Sequence, residues 1–140
     1  MRKRALRVGV ACVLALLVFG LGLFVGRVGS PVRAWRATAV ARAYMSHLER
    51  GEYAEVLRLY SSRMRKLFED RAPENRLHVL EIGLPRIRSY TFDSITRFPW
   101  GNDYEVSFTI DSDSKWAVMH LLLQEEDGAY VVSSTTPPGM

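Results

Sequence analysis

At 140 residues the chain holds one domain, or one domain and an N-terminal segment of different character. Its net charge of +4 is unevenly spread: residues 1–42 carry eight bases and no acid, while residues 43–140 carry 11 bases and 15 acids, a net −4. A mildly acidic domain argues against nucleic acid as a partner. The lone cysteine, Cys12, rules out an internal disulfide, a multi-cysteine zinc site and cysteine-nucleophile chemistry in the rest of the chain.

Taken in chain order, Met1-Arg2-Lys3-Arg4 and Arg7 form a basic start (1–7), followed by 19 uncharged, mostly apolar residues from Val8 to Gly26. Such a run rises about 28 Å as a helix, close to the roughly 30 Å hydrocarbon thickness of a bilayer. The sequence therefore predicts a transmembrane helix over 8–28. The competing reading is a cleaved signal peptide, although the run is longer than the usual h-region and no good small-residue cleavage pattern follows. Cys12 lies too close to Arg7 for a lipoprotein acylation signal. The density of bases before the run favours an N-terminus inside and the domain outside, at a bacterial inner membrane, even though Arg27, Arg33, Arg36 and Arg42 follow it.

At about 100° per residue, Ala11, Ala15, Gly22, Gly26 and Gly29 fall on one side of this helix, and Gly22-Leu23-Phe24-Val25-Gly26 is a G-x-x-x-G pattern. Small residues on one stripe let another helix approach closely. The stripe is thus a candidate contact with a second copy or with another membrane-protein subunit, weighed against the frequency of Gly and Ala in apolar helices generally.

Ser30-Pro31 breaks the chain, and 29–36 reads as a linker. A soluble domain is expected over 37–135. Its first helix runs from about Trp35 to Arg50, with Ala37, Val40, Ala41, Tyr44 and Leu48 at helical spacing and Gly51 just past its end. A second helical stretch starts near Glu52, and Ser61-Ser62 suggests a break with a fresh N-cap inside it. Arg63, Arg65 and Lys66 form a basic cluster there, an exposed face or a lipid or protein contact. Pro73 is suited to open a short third helix that Gly83 and Pro85 end.

Beyond Pro85 the period changes to two. Arg86 to Phe98 reads as a strand with a bulge near Ile95, and Pro99 to Asp103 as a turn. Tyr104, Val106, Phe108 and Ile110 alternate with polar residues. Lys115 to Gln124 is apolar on both faces, as in a strand covered on both sides. Glu126-Asp127-Gly128 is a hairpin signal leading to a last strand at Ala129 to Ser134, and 136–140 reads as a flexible tail. The expected fold class is α+β: a transmembrane helix, then two or three helices on a curved antiparallel sheet of about four strands.

The segment Ala41 to Val56, with its aromatic-bearing helix and the Gly51-Glu52-Tyr53 corner, resembles the opening of the nuclear transport factor 2-like superfamily, a cystatin-like α+β cone. Asp127-Gly128-Ala129-Tyr130 resembles the closing hairpin of that group. The resemblance covers roughly Val40 to Ser134 and rests on structural corners that carry no chemistry. It implies a cone, and a choice between isomerase-like chemistry and non-catalytic transport, assembly or ligand-binding roles.

Chemistry-bearing residues are few. His47, His78 and His120 show no metal-ligand spacing, so no metal or cofactor is called. His120 sits in phase with Trp116, Val118 and Leu122 on the expected central strand, where it could enter an apolar pocket and act as a base, with Asp93 as its partner. The competing reading is an ordinary strand histidine. Asp111-Ser112-Asp113-Ser114 lacks the glycine and closing glutamate of a calcium loop. Met119 and Leu121 are expected on an exposed apolar row suited to docking. The sequence thus points to a non-enzymatic accessory or assembly subunit of a membrane protein complex, the alternative being a tethered pocket that binds or isomerises a small apolar ligand.

Overall fold

The computed structural model describes residues 2–113 and 117–136, and the side chains of all of these except 2–8 and 24–28. Five helices precede four strands: α1 (Arg2–Val28), α2 (Pro31–Glu49), α3 (Tyr53–Leu59), α4 (Ser62–Glu69), α5 (Pro73–Gly83), β1 (Ile87–Arg97), β2 (Tyr104–Ser112), β3 (Val118–Glu126) and β4 (Ala129–Thr136). The strands form one antiparallel meander in the order β1-β2-β3-β4.

Among the described residues no helix is long and apolar enough to cross a membrane. The expected transmembrane segment is corrected accordingly: the fold is an α+β domain of five helices and a four-stranded antiparallel sheet, and α1 is the first of its helices. Charge is the reason: bases close off the apolar stretch at both ends of the helix. α1 as a whole takes in Arg2, Lys3, Arg4, Arg7 and Arg27.

Pro31 opens α2 instead of standing in a linker, because a proline at the first helical position costs no intrahelical bond; Ser30 is the extended residue before it. The buried face of α2 is Ala34, Ala37, Ala41, Tyr44, Met45 and Leu48. Its first turns bury three small alanines and its later turns the larger Tyr44, Met45 and Leu48. The second helical stretch does divide. Tyr60 and Ser61 are non-helical, and the Ser61 hydroxyl accepts from the Met64 amide at 3.2 Å, capping α4. The Ser61 amide is given to the Val132 carbonyl at 2.9 Å, so the interruption is pinned to β4. The Glu126 carboxylate accepts the Ser62 amide at 3.1 and 3.2 Å, placing a negative charge at the start of α4.

In the sheet, Tyr104, Val106, Phe108 and Ile110 of β2 face the helices as expected and are buried. A bulge falls between Phe92 and Ser94, just ahead of Ile95. Asp127 and Gly128 take φ of 51° and 80°, the left-handed pair of a tight hairpin turn. β3 departs from its expected character. It buries Met119, Leu121 and Leu123 against the helices and leaves Val118, His120, Leu122 and Gln124 only half-buried on the other face. Residues 114–116, Trp116 among them, and the tail from 137 lie outside the described residues.

The centre of the core is aromatic. The Tyr44 and Tyr60 hydroxyls meet at 2.9 Å, the rings pack edge-on at 5.8 Å, and Phe68 stacks on Tyr60 at 6.2 Å. Burial pushes the Tyr44 hydroxyl well above the ordinary tyrosine range, and Tyr60 upward as well, against the lowering effect of its bonds to Tyr44 and Thr135. Tyr60→Phe leaves a buried hydroxyl on Tyr44 without its partner and is expected to cost about 1–3 kcal/mol in urea unfolding. Tyr44→Phe/Tyr60→Phe together should cost less than the two single changes summed, because no orphan hydroxyl remains. Both hydroxyls hold their protons more tightly in the folded state. The stability they confer is therefore complete below about pH 10, the unfolded tyrosine value, and should fall as pH rises above it.

Candidate functional site

A layer of helices on an antiparallel sheet can act through its interior, through the outer face of its sheet or through its helical surface. Here the interior is filled. Tyr44, Met45, Tyr60, Phe108, Met119 and Leu121 occupy the space between the helices and the sheet and are all buried. Met119 and Leu121 are thereby corrected from an exposed docking row to core. Their cross-strand partners are Phe108 and Val106, which also point inward.

His120 consequently lies on the outer face and has no access to an enclosed apolar pocket. Its Nδ1 is 2.8 Å from the Ser107 Oγ and 3.4 Å from a Glu105 carboxylate oxygen. A serine, a histidine and an acid thus stand together, but not as a catalytic triad. A relay needs the hydroxyl on one ring nitrogen and the carboxylate on the other, so that one orients the ring while the other takes the proton. Here both contacts share Nδ1. Asp93, at the β1 bulge, accepts from the Thr109 hydroxyl at 2.7 Å and makes no ion pair with His120. The pairing of His120 with Asp93 is not assembled. No group of three or more His, Cys, Asp or Glu side chains able to hold a metal ion occurs among the described residues.

The helical surface is different. Val10, Val13, Leu14, Leu16, Leu17, Val18, Phe19, Leu21 and Leu23 of α1 are each more than half exposed. Ala11, Ala15 and Gly22 lie among them, also exposed, and a Cβ added to Gly22 would meet nothing within 4 Å. Gly26 is helical but falls outside the residues with described side-chain surroundings. An uncovered apolar helix of this extent is unusual on a folded protein.

The corner after α1 is crowded. Gly29 is not part of the helical stripe: it sits after α1 with φ of 69°, buried at the corner between α1 and α2. A Cβ there would come within 2.9 Å of the Arg97 side chain and 3.3 Å of the Tyr104 hydroxyl. Gly29 is therefore corrected from a partner contact to a hinge of close approach. Around it, Arg33 donates to Asn102 at 2.8 Å, Arg97 to the Gly101 carbonyl at 3.2 Å, and Arg36 to the Gly128 carbonyl while lying 5.8 Å over the Tyr130 ring. Three arginines thus tie the start of α2 and the end of β1 to two neighbouring turns. Beside this corner, Trp35 and Trp100 are 72% and 71% exposed, and Val32 is bare as well. These three were missed in the sequence. The available signal was that Trp35 lies off the Ala37–Ala41–Tyr44–Leu48 stripe of its own helix.

No family model and no curated protein matches this chain. Gly29→Ala tests the corner directly. It forces both a disfavoured φ and a contact with Arg97, and is expected to cost about 1–3 kcal/mol in chemical unfolding. Gly22→Ala, in open space within the helix, is expected to be neutral or slightly stabilising in the same measurement.

Proposed function

We propose that this chain is a non-enzymatic accessory or assembly subunit, with a domain that is a nuclear transport factor 2-like cone and a bare helix α1 that packs on a partner. The observation that carries this reading is the row of nine large apolar side chains on α1 with nothing over them. Supporting the cone are the helix–corner–helix opening at Gly51-Glu52-Tyr53 and the helices packed on a four-stranded antiparallel meander that closes at Asp127-Gly128. Against chemistry stand the filled interior and the shared-nitrogen geometry at His120. The alternative of a tethered pocket for a small apolar ligand loses its basis once His120 is outside and the interior is packed.

The partner is a second copy or another subunit of a membrane protein complex. Eight bases and no acids in residues 1–42 suit a site of action beside anionic headgroups. The side of α1 carrying Ala11, Ala15 and Gly22 is the one that permits the closest backbone approach.

Gly22→Ile, alone and with Gly26→Ile, tests this. The added side chain at Gly22 meets only open space in the isolated chain, so it leaves the fold intact but blocks a neighbouring helix. Affinity purification in mild detergent should show the co-purifying chain, or the second copy, reduced about tenfold. Undiminished association would overturn the assignment of that surface.

A further inference from the structure

We infer that the cleft between α3, α4 and α5 binds an acidic peptide segment that inserts one apolar side chain. This rests on reading the chain as a protein-binding subunit, and adds a second contact on the domain itself.

The cleft has a free volume of about 180 Å³ and is lined by Leu57, Arg58, Arg65, Phe68, Glu69 and Arg76. Pockets for whole small molecules are larger, roughly 300–1,000 Å³. The space here suits a single side chain, which points to a protruding residue of another chain. Its apolar wall is Leu57 and Phe68, and Phe68 is braced from behind by its stack on Tyr60.

The rim is cationic. Arg76 is fixed by donating to the Arg71 and Glu69 carbonyls, both at 2.8 Å; these neutral acceptors orient the guanidinium and leave its charge uncompensated. Arg58 pairs with Glu55 at 2.9 Å across an exposed surface, a contact of little net strength that an incoming carboxylate can replace. Arg65 makes no side-chain hydrogen bond or ion pair among the described residues, although Glu69 stands four positions on. Guanidiniums present a planar fork that matches a carboxylate, and a recess between them favours a shaped polypeptide over a flat lipid surface.

Charge distribution supports the same ligand. Residues 55–76 carry six bases and four acids, a net +2, whereas the rest of 43–140 carries five bases and 11 acids, a net −6. Within 43–140 an acidic segment is thus drawn to this region and repelled by the rest, and the recess between the arginines sets it apart from the basic residues of 1–42.

The test is fluorescence anisotropy on the full chain in mild detergent, with labelled Glu-Asp-Phe-Glu-Asp, the same peptide with Ala for Phe, and Lys-Lys-Phe-Lys-Lys. Saturable binding of the first is expected, weakened about tenfold by the Ala peptide and at least about tenfold by Arg65→Glu with unchanged circular dichroism, and absent for the lysine peptide. Arg58→Glu serves as the second variant should Arg65→Glu fail to fold. Equal affinity for the Phe and Ala peptides overturns the inference. So does undiminished binding by the folded variants, or binding only to phosphatidylserine vesicles with none to peptide. Because Arg65 and Arg58 lie outside α1, failure of this test leaves the α1 contact standing, and failure of the Gly22 test leaves this one standing.

Discussion

The seating of α2 on the sheet is the constraint on which the other features depend. Ala34, Ala37 and Ala41 are buried along its first turns, and Tyr44 further on meets Tyr60. Tyr60 can reach that position only because the helical stretch after Gly51 breaks there, with Ser61 capping α4 and its amide bonded to β4. A hydroxyl pair at the centre of an apolar core is tolerable because each satisfies the other. The result is an interior occupied, among the described residues, by large buried side chains.

Much of this was legible in the sequence, for identifiable reasons. The strict alternation from Tyr104 to Ile110 has one physical reading, a half-buried strand, and the Asp127-Gly128 pair supplies the positive φ that a tight hairpin needs. Ser61 marked the helix break because a serine hydroxyl competes for a backbone amide. β3 shows where periodicity stops being enough. Its period of two was correct, but its phase was inverted: Val118, His120 and Leu122 were set inward, and Met119 and Leu121 outward. A run apolar on both faces does not say which face is core, and a one-residue error moves every side chain across the sheet. Only the register decides, since Met119 opposes Phe108 and Leu121 opposes Val106. That inversion created both the exposed docking row and the pocket histidine.

Other features had no local signature at all. The cleft joins Leu57 to Arg76 across three helices, and no spacing in the chain announces it. Gly29 continues the small-residue spacing of α1 so well that its role in the corner is visible only once Arg97 and Tyr104 are seen beside it. α1 shows the opposite limit. Its apolar run was plain, yet hydropathy alone led to a transmembrane assignment, whereas among the described residues no helix is long and apolar enough to cross a membrane.

The chain thus joins a packed α+β domain to a helix with an exposed apolar surface, and the proposed role is binding through both. The central claim is that one side of α1 is covered by a partner helix. A photo-reactive side chain placed in turn at each position from 9 to 23, followed by crosslinking in intact cells, tests it most directly. The account expects crosslinks to one polypeptide, with yields that rise and fall every three to four residues and peak on the side of Ala11, Ala15 and Gly22. Yields that are uniform around the helix, or no polypeptide adduct at any position, would contradict it.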